Sequence, residues 1–234
     1  MAQKSAIEWT ETTWNPVTGC TKISTGCENC YAERLAKRLK AMGQPNYRNG
    51  FRVACHDHAL GLPLTWKKPQ MVFVNSMSDL FHQAVPLEFI RKVFETMNSA
   101  KQHKFQILTK RSGRLRELAS ELEWTDNIWM GVTVETADFV ARLDDLRHVP
   151  ASVRFVSFEP LLSRLGAVDL ADIHWAIVGG ESGPGARTIE ADWVREIRDL
   201  CMEKEVAFFF KQWGGVNKKK AGRILDGRKW DQIP

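Results

Sequence analysis

Cys20, Cys27 and Cys30 lie within one short run, GCTKISTGCENCY (19–31), and no fourth cysteine follows nearby. Thiols bunched this closely point to metal or redox chemistry. The stretch CENCYAERLAKRLKAM reads as a helix beginning at Cys27. That start would put Cys27 and Cys30 on one face at a helix N-terminus, where the dipole favours anions. Cys20 reaches back across a glycine-containing loop. Three chemistries compete. A structural zinc ion wants four protein ligands, and ACHDH offers Cys55, His56 or His58 as the fourth. A thiol–disulfide pair needs only Cys27 and Cys30 and leaves Cys20 without a role. A [4Fe–4S] cluster on three cysteines leaves one iron open to a small molecule. Spacing alone puts zinc and iron–sulfur level, with the redox pair behind.

The elements that would position such a site are legible as apolar, β-rich runs. They are MVFVN (71–75), FQILT (105–109), IWMGVTV (128–134), VRFVSF (153–158), HWAIVG (174–179) and VAFFF (206–210), with AIEWTETTW (6–14) as a less regular first candidate. Most are nearly continuous in apolar character, as strands buried on both faces are. Helical stripes alternate with them. Leu87, Ile90, Val93, Phe94 and Met97 form one; Phe139, Val140, Leu143 and Leu146 a second, in ETADFVARLDDLRHV; Val194, Ile197, Leu200 and Cys201 a third. SGRLRELASEL is a shorter helix, and 159–173 contains little helix. Strand–helix alternation of this kind predicts an α/β fold with a parallel sheet, closed into a full or partial barrel or left open. The stretch 41–70 reads as an insertion or lid, and 214–234 as a basic, loop-like tail on a single domain.

Nearly every strand runs into polar residues at its C-terminal end: Ser76, Ser78 and Asp79; Thr109, Lys110 and Arg111; Glu135; Glu159; Glu181 and Ser182; Lys211, Gln212 and Trp213. In parallel α/β proteins, ligand sites occupy that rim. The cysteines follow the first candidate strand and so belong to the same rim. A structural zinc has no reason to sit in an active-site mouth, so placement favours the iron–sulfur reading.

TTWNPVTGC, GCENCYA, NSMSDLFH, LTKR, SFEPLL, GGESG, FFKQWGG and GRILDGRKWD together span nearly the whole chain. On these motifs the chain resembles the radical S-adenosylmethionine (SAM) superfamily and, more narrowly, its phage-associated three-cysteine family. Its Cys20–Cys27 interval is wider than the usual superfamily spacing. The resemblance implies a partial parallel (β/α) barrel of about six to seven strands, TIM-barrel-like. It implies a [4Fe–4S] cluster on Cys20, Cys27 and Cys30 whose fourth iron chelates SAM. An external electron donor would drive cleavage of the sulfonium to a 5′-deoxyadenosyl radical that abstracts a substrate hydrogen. On that reading Ser76, Ser78 and Asp79 accept from the methionine ammonium, and Lys110 or Arg111 pairs the carboxylate. Glu135, with Thr133 beside it, takes the ribose hydroxyls. Gly179 and Gly180 allow close backbone approach, and Tyr31 lies near the adenine. Glu159, Glu181, Lys211 and Gln212, with Trp213, remain for substrate and catalysis.

The bulk composition constrains the rest. With 234 residues, 44% hydrophobic and 26% charged, the chain is globular in character rather than disordered. Five cysteines, three of them bunched, do not make a secreted disulfide framework. The opening MAQKSAIEWTETTW lacks the apolar run of a signal peptide, and no stretch reaches the ~20 apolar residues of a membrane helix. A cytoplasmic location with no membrane partner is the expectation. Lys218, Lys219, Lys220, Arg223, Arg228 and Lys229, interleaved with Trp213 and Trp230, could grip a nucleic-acid or nucleotide substrate, although a solvated tail is the commoner explanation for a basic run. The competing function is a non-catalytic, zinc-stabilised nucleic-acid-binding module working with an accessory partner protein. Four rim carboxylates, Asp79, Glu135, Glu159 and Glu181, argue against that module, because they would repel phosphate.

Overall fold

A computed structural model describes residues 3–5 and 7–234. Its elements run β1 (Gln3–Lys4), β2 (Thr12–Trp14), β3 (Val17–Thr18), α1 (Tyr31–Ala41), β4 (Ala54–Cys55), α2 (Asp57–Leu60), β5 (Met71–Val74), α3 (Leu87–Ser99), β6 (Lys104–Thr109) and α4 (Ser112–Leu118). They continue with β7 (Ile128–Thr133), α5 (Arg142–Arg147), β8 (Val153–Phe158), β9 (Trp175–Gly179), α6 (Ala191–Glu203), β10 (Ala207–Gln212) and α7 (Lys218–Ala221). One sheet has the order β1-β2-β5-β6-β7-β8-β9-β10. Its seven strands from β2 to β10 are parallel, and β1 is antiparallel at the edge. They curl into a half-barrel, the partial TIM-barrel-like architecture that the resemblance implies.

Alternation along the strands divides the interior in two. Val72, Val74, Ile107, Met130, Val132, Val156, Phe158, Val178, Phe208 and Phe210 point outward, into one core with the apolar stripes of α3, α4, α5 and α6. Phe73, Trp129, Phe155, Trp175, Ile177 and Phe209 point the other way and meet Trp9, filling the base of the concave face with aromatic rings. Burial on both faces is why these strands read as continuous apolar runs. Trp9 stands edge-on to Phe73 at 4.7 Å and to Trp175 at 6.1 Å. Gly131 leaves room for this filling: a Cβ there would lie 2.5 Å from the Phe155 ring. Gly131→Ala is therefore expected to cost ~1–3 kcal/mol in urea unfolding. Adding Phe155→Leu should recover part of that loss; strictly additive losses would rule out the packing explanation.

Several expectations change in detail. Only Thr12–Trp14 of the 6–14 run is strand, and Ala6 lies outside the described residues. ETADFVARLDDLRHV is not one helix but a 3-10 turn at Ala137–Phe139 followed by α5. Side-chain contacts hold the interrupted start: the Arg142 guanidinium lies 4.1 Å over the Phe139 ring and donates to the Thr133 carbonyl at 2.7 Å. The stretch after β8 has no helix, yet buries Leu161, Leu165, Leu170 and Ile173 and so covers the sheet as a helix would. Within 41–70, β4 pairs with β3, and Trp14 Nε1 donates to the Ala59 carbonyl at 2.7 Å, docking the segment beside β2. The tail is not loose: Leu225 and Trp230 are buried, and Asp231 bridges to Phe209, covering β10 at the sheet edge. Among the described residues no helix is long and apolar enough to cross a membrane.

Candidate active site

The cysteine loop hangs from the C-terminal end of β2, pinned by two asparagines. Asn15 Oδ1 accepts from Ser76 Oγ at 3.2 Å and from the Met77 amide at 3.0 Å. Asn75 sits in left-handed backbone (φ 61°), which Asn tolerates well, and its Oδ1 accepts from the Val17 amide at 3.2 Å. Gly19 (φ 82°) must be glycine, because a Cβ would lie 2.2 Å from the Arg52 carbonyl oxygen. The next amide, of Cys20, donates to the Phe51 carbonyl at 3.2 Å. Cys27 closes a 3-10 turn (Thr25–Cys27), and α1 begins only after Cys30, which is its N-cap. This corrects the helix expected from Cys27: the two thiols flank a turn instead of sharing a helical face. All three are free thiols. They line one cavity of about 460 Å³ at the C-terminal ends of the strands. Every rim residue nominated from sequence as a cofactor, substrate or catalytic group lines it too, except Gly179, Glu135 and Trp213, whose Nε1 donates instead to the Ile224 carbonyl at 2.8 Å.

Two buried charge networks back the cysteine loop. In the first, Asp79 accepts from Thr109 Oγ1 at 2.7 Å and from the Lys110 amide at 3.2 Å, and pairs with Arg111 Nη1 at 3.3 Å. The same Nη1 lies 3.8 Å from Cys20 Sγ, while Nη2 donates to the Thr21 carbonyl (3.1 Å) and hydroxyl (3.0 Å). Burial, reinforced by the Asp79 charge, pushes the Cys20 thiol up to about 11. In the second, Glu135 is fully buried between Lys110 Nζ (2.7 Å) and Arg142 Nη1 (2.8 Å) and accepts from Ser24 Oγ at 2.6 Å. Burial alone would raise its carboxyl; Lys110, Ser24 and Arg142 outweigh that and hold it below the ordinary value. Gly26 lies directly over this carboxylate, where a Cβ would come within 2.5 Å of Oε1. Burial likewise opposes ionisation of Cys27, but hydrogen bonds at Ile23 and Ser24 and the Lys110 charge bring its thiol below the ordinary value. Glu135 therefore faces the back of the cysteine loop with both oxygens occupied, not the cavity where the ribose role would put it. Lys110 is likewise committed to Glu135 rather than free for a ligand carboxylate.

The opposite wall comes from β8, β9 and β10. Lys211 Nζ lies 2.6 and 2.9 Å from the Glu159 oxygens. Gln212 Nε2 donates to Ser182 Oγ at 2.6 Å, with Glu159 at 3.3 Å. Glu181 turns away from a substrate role. It takes Arg187 (2.6 Å) and Asn29 (3.0 Å), and Arg187 also reaches Glu28 at 3.0 Å, so the loop after β9 is strapped to the cysteine loop across the open side of the half-barrel. The glycines answer to protein packing rather than to a ligand. A Cβ on Gly180 would meet the Trp213 carbonyl oxygen at 2.1 Å, and one on Gly179 the Glu159 carboxyl carbon at 3.3 Å. Tyr31 is half-exposed, with its hydroxyl donating to the Ser76 carbonyl. Ser76 and Ser78 line the same wall, Ser78 Oγ donating to the Val17 carbonyl at 2.8 Å. In the tail, Arg228 stacks on Trp230 at 3.5 Å and Arg223 pairs with Asp231, so both are engaged internally. The side chains of Lys218 and Lys219 lie outside the described residues.

Sequence reading missed several residues here. Ser157 lines the cavity beside its strand partner Thr133, and the alternation Phe155–Ser157–Glu159 marks it as inward-facing. Asn15, Ser24, Gly26 and Asn29 carried no comparable signal, because each acts through a partner distant in sequence, whereas Arg142 and Arg187 pair with Glu135 and Glu181 only seven and six residues away and were overlooked. Four cavity-lining residues hold a buried polar atom with no partner among the described residues: Trp9 Nε1, Asn75 Nδ2, Arg111 Nε and Gln212 Oε1. Such atoms cost ~1–3 kcal/mol each when unpaired, a debt that a polar ligand is suited to relieve. Among the described residues no three His, Cys, Asp or Glu side chains converge on the position of one metal ion. His56, offered from sequence as a zinc ligand, pairs with Thr18 Oγ1 at 2.8 Å.

A family model described as "Protein of unknown function (DUF5131)" matches residues 4–234. No curated protein matches the chain. Solved structures of spore photoproduct lyase share the fold. One, complexed with dinucleoside spore photoproduct, has TM-score 0.51 and 12% identity, covering 85% of this chain and 63% of that one. A doubly substituted variant with bound AdoMet and dinucleoside spore photoproduct has TM-score 0.50 and 12% identity, covering 76% and 58%. A singly substituted variant with dinucleoside spore photoproduct has TM-score 0.51 and 12% identity, covering 85% and 62%. The chain thus spans about three fifths of the solved structures it matches.

Proposed function

We propose that this chain, which belongs to the DUF5131 family, is a radical SAM enzyme acting on a nucleic acid or nucleotide. One observation carries the reading: three free thiols and the polar ends of the parallel strands open onto a single cavity of about 460 Å³. That volume lies within the usual range of small-molecule sites. The donor set suits an iron–sulfur cluster in its chemistry, three thiols lining one cavity, whereas among the described residues no His, Cys, Asp or Glu trio converges on a single metal ion as a structural zinc site requires. The orphaned polar atoms of the cavity wall fit a polar cofactor beside it. A structural neighbour with bound AdoMet and a dinucleoside supports the choice of cofactor and substrate class.

On this reading Cys20, Cys27 and Cys30 hold the cluster. When bound, cluster and SAM together supply one-electron cleavage of the sulfonium and hydrogen abstraction from substrate. The protein's own residues bind, orient and shield. Ser76, Ser78, Asp79 and Arg111 lie on the Cys20 side and receive the amino-acid end of SAM. The Thr133 and Ser157 hydroxyls, adjacent on β7 and β8, receive the ribose, and Tyr31 flanks the base. Glu159, Lys211 and Gln212 on the far wall face the substrate. Glu135 serves as a positioning residue for the cysteine loop, and Glu181 as the strap that keeps the cavity covered. The test is incubation of anaerobically reconstituted, reduced protein with SAM. Methionine and 5′-deoxyadenosine should form; SAM left intact and unbound would overturn the proposal.

A further inference from the structure

His82 ends the run NSMSDLFH (75–82), whose other polar residues, Asn75, Ser76, Ser78 and Asp79, line the cavity. His82 itself does not. It is buried, 6% exposed, between β5 and α3, next to the fully buried Leu80 and Phe81. Its two ring nitrogens meet different partners. Nδ1 lies 3.0 Å from the Ala84 amide nitrogen and accepts from it. A backbone amide can only donate, so the neutral ring carries its proton on Nε2. Burial and the Arg111 charge push the imidazole below its ordinary value; Arg114 adds to this and Asp79 opposes it. Nε2 therefore donates to Thr21 Oγ1, 2.8 Å away.

Thr21 directly follows Cys20, and Cys20 Sγ donates to the Thr21 carbonyl at 3.4 Å. Thr21 is exposed, so little packing holds it and hydrogen bonds set its place. Two of its anchors start from one segment. Asp79 acts through Arg111, whose Nη2 donates to the Thr21 carbonyl and hydroxyl. His82 acts on the hydroxyl directly. The segment is itself rigid: the Phe81 amide donates to Asp79 Oδ1 at 3.0 Å, and the His82 amide to the Asp79 carbonyl at 3.1 Å. Arg114 ties down the carbonyls of Phe81 at 3.3 Å and Val85 at 2.8 Å. A ring fixed this way loses little further freedom in gripping Thr21. The Cys27 end of the loop hangs instead from Ser24 and Glu135.

We propose that His82 is a positioning residue for Cys20, its Nε2–H pinning Thr21 and so fixing where the Cys20 thiol stands on the cavity wall. The pin follows from geometry alone. Its consequence for a bound cluster rests on the radical SAM reading above, since groups behind a metal ligand govern how firmly the metal is held.

Asn and Gln separate the two nitrogens. In His82→Asn the amide oxygen replaces Nδ1 for Ala84, and nothing reaches Thr21. In His82→Gln the amide NH2 replaces Nε2 for Thr21, and the Ala84 contact is lost. The first readout is alkylation of each thiol in the metal-free protein, followed by mass spectrometry with Cys55 as internal reference. His82→Asn is expected to speed Cys20 alkylation about fivefold, the scale of one lost hydrogen bond, while His82→Gln stays near wild type. Thr21→Val, at an exposed position, should match His82→Asn, and combining the two should add nothing. In wild type, 15N NMR should show the His82 proton on Nε2. After anaerobic reconstitution, His82→Asn should release iron to a chelator several-fold faster than His82→Gln. Equal Cys20 rates in the two His82 variants, the reverse order, or a proton on Nδ1 would each overturn the pin and leave the enzyme reading intact. Distinct Cys20 rates in a protein that takes up no iron and sulfide would support the pin and overturn the enzyme reading.

Discussion

Glu135→Gln is expected to destabilise the folded chain by about 3 kcal/mol, because it leaves the buried Arg142 and the partly buried Lys110 without their counter-charge. Lys110 and Arg142 both converge on this carboxylate, and among the described residues neither pairs with another one. The effect should carry a pH signature. The Glu135 carboxyl lies below its ordinary value of 4.5: burial opposes this, and Lys110, Ser24 and Arg142 impose it. A group depressed in the folded state contributes its stability fully above its unfolded value, and loses that contribution as pH falls through the folded one. Wild type should therefore lose stability progressively below about pH 4.5, and the Gln variant should lose less over the same interval. Urea unfolding across that range tests both statements; parallel curves would remove Glu135 from the account. A second readout is local. With its anchor weakened, the Ser24–Cys27 turn should expose Cys27 to faster alkylation in the metal-free protein.

The second large effect concerns the thiols. Cys27→Ala should reduce iron and sulfide uptake on anaerobic reconstitution to background, because two thiols cannot replace three on the cavity wall. Cys201→Ala is the matched control. It removes a fully buried sulfur on the core side of α6, far in function from the cavity, and burial pushes that thiol up to about 12. It should cost a small amount of stability and no iron. Equal iron loss in both variants would show that uptake follows general folding rather than the triad.

How much was legible in advance follows from which interactions are local. The parallel strands could be read because burial on both faces writes itself into consecutive residues such as Phe208–Phe210. The cavity wall could be read because polar groups begin where those strands end. The roles within it could not. Glu135 looks like a ligand-facing acid until Gly26 is seen resting on it from a loop more than a hundred residues away in sequence. Glu181 and Arg187 likewise depend on Asn29 and Glu28 from the other side of the half-barrel. The helix expected at Cys27 failed because propensity says nothing about Cys30 acting as the cap. Ser157 was readable and overlooked: a lone hydroxyl at an inward position of an apolar strand is a signal in its own right.

The central claim is that the three cysteines hold an open-site iron–sulfur cluster that binds SAM. The measurement that tests it most directly is metal and sulfide analysis after anaerobic reconstitution, followed by electron paramagnetic resonance of the reduced protein with and without SAM. The account predicts about four iron and four sulfide per chain, and a spectrum that changes when SAM is added. Stoichiometric zinc without sulfide, or a cluster whose spectrum ignores SAM, would contradict it.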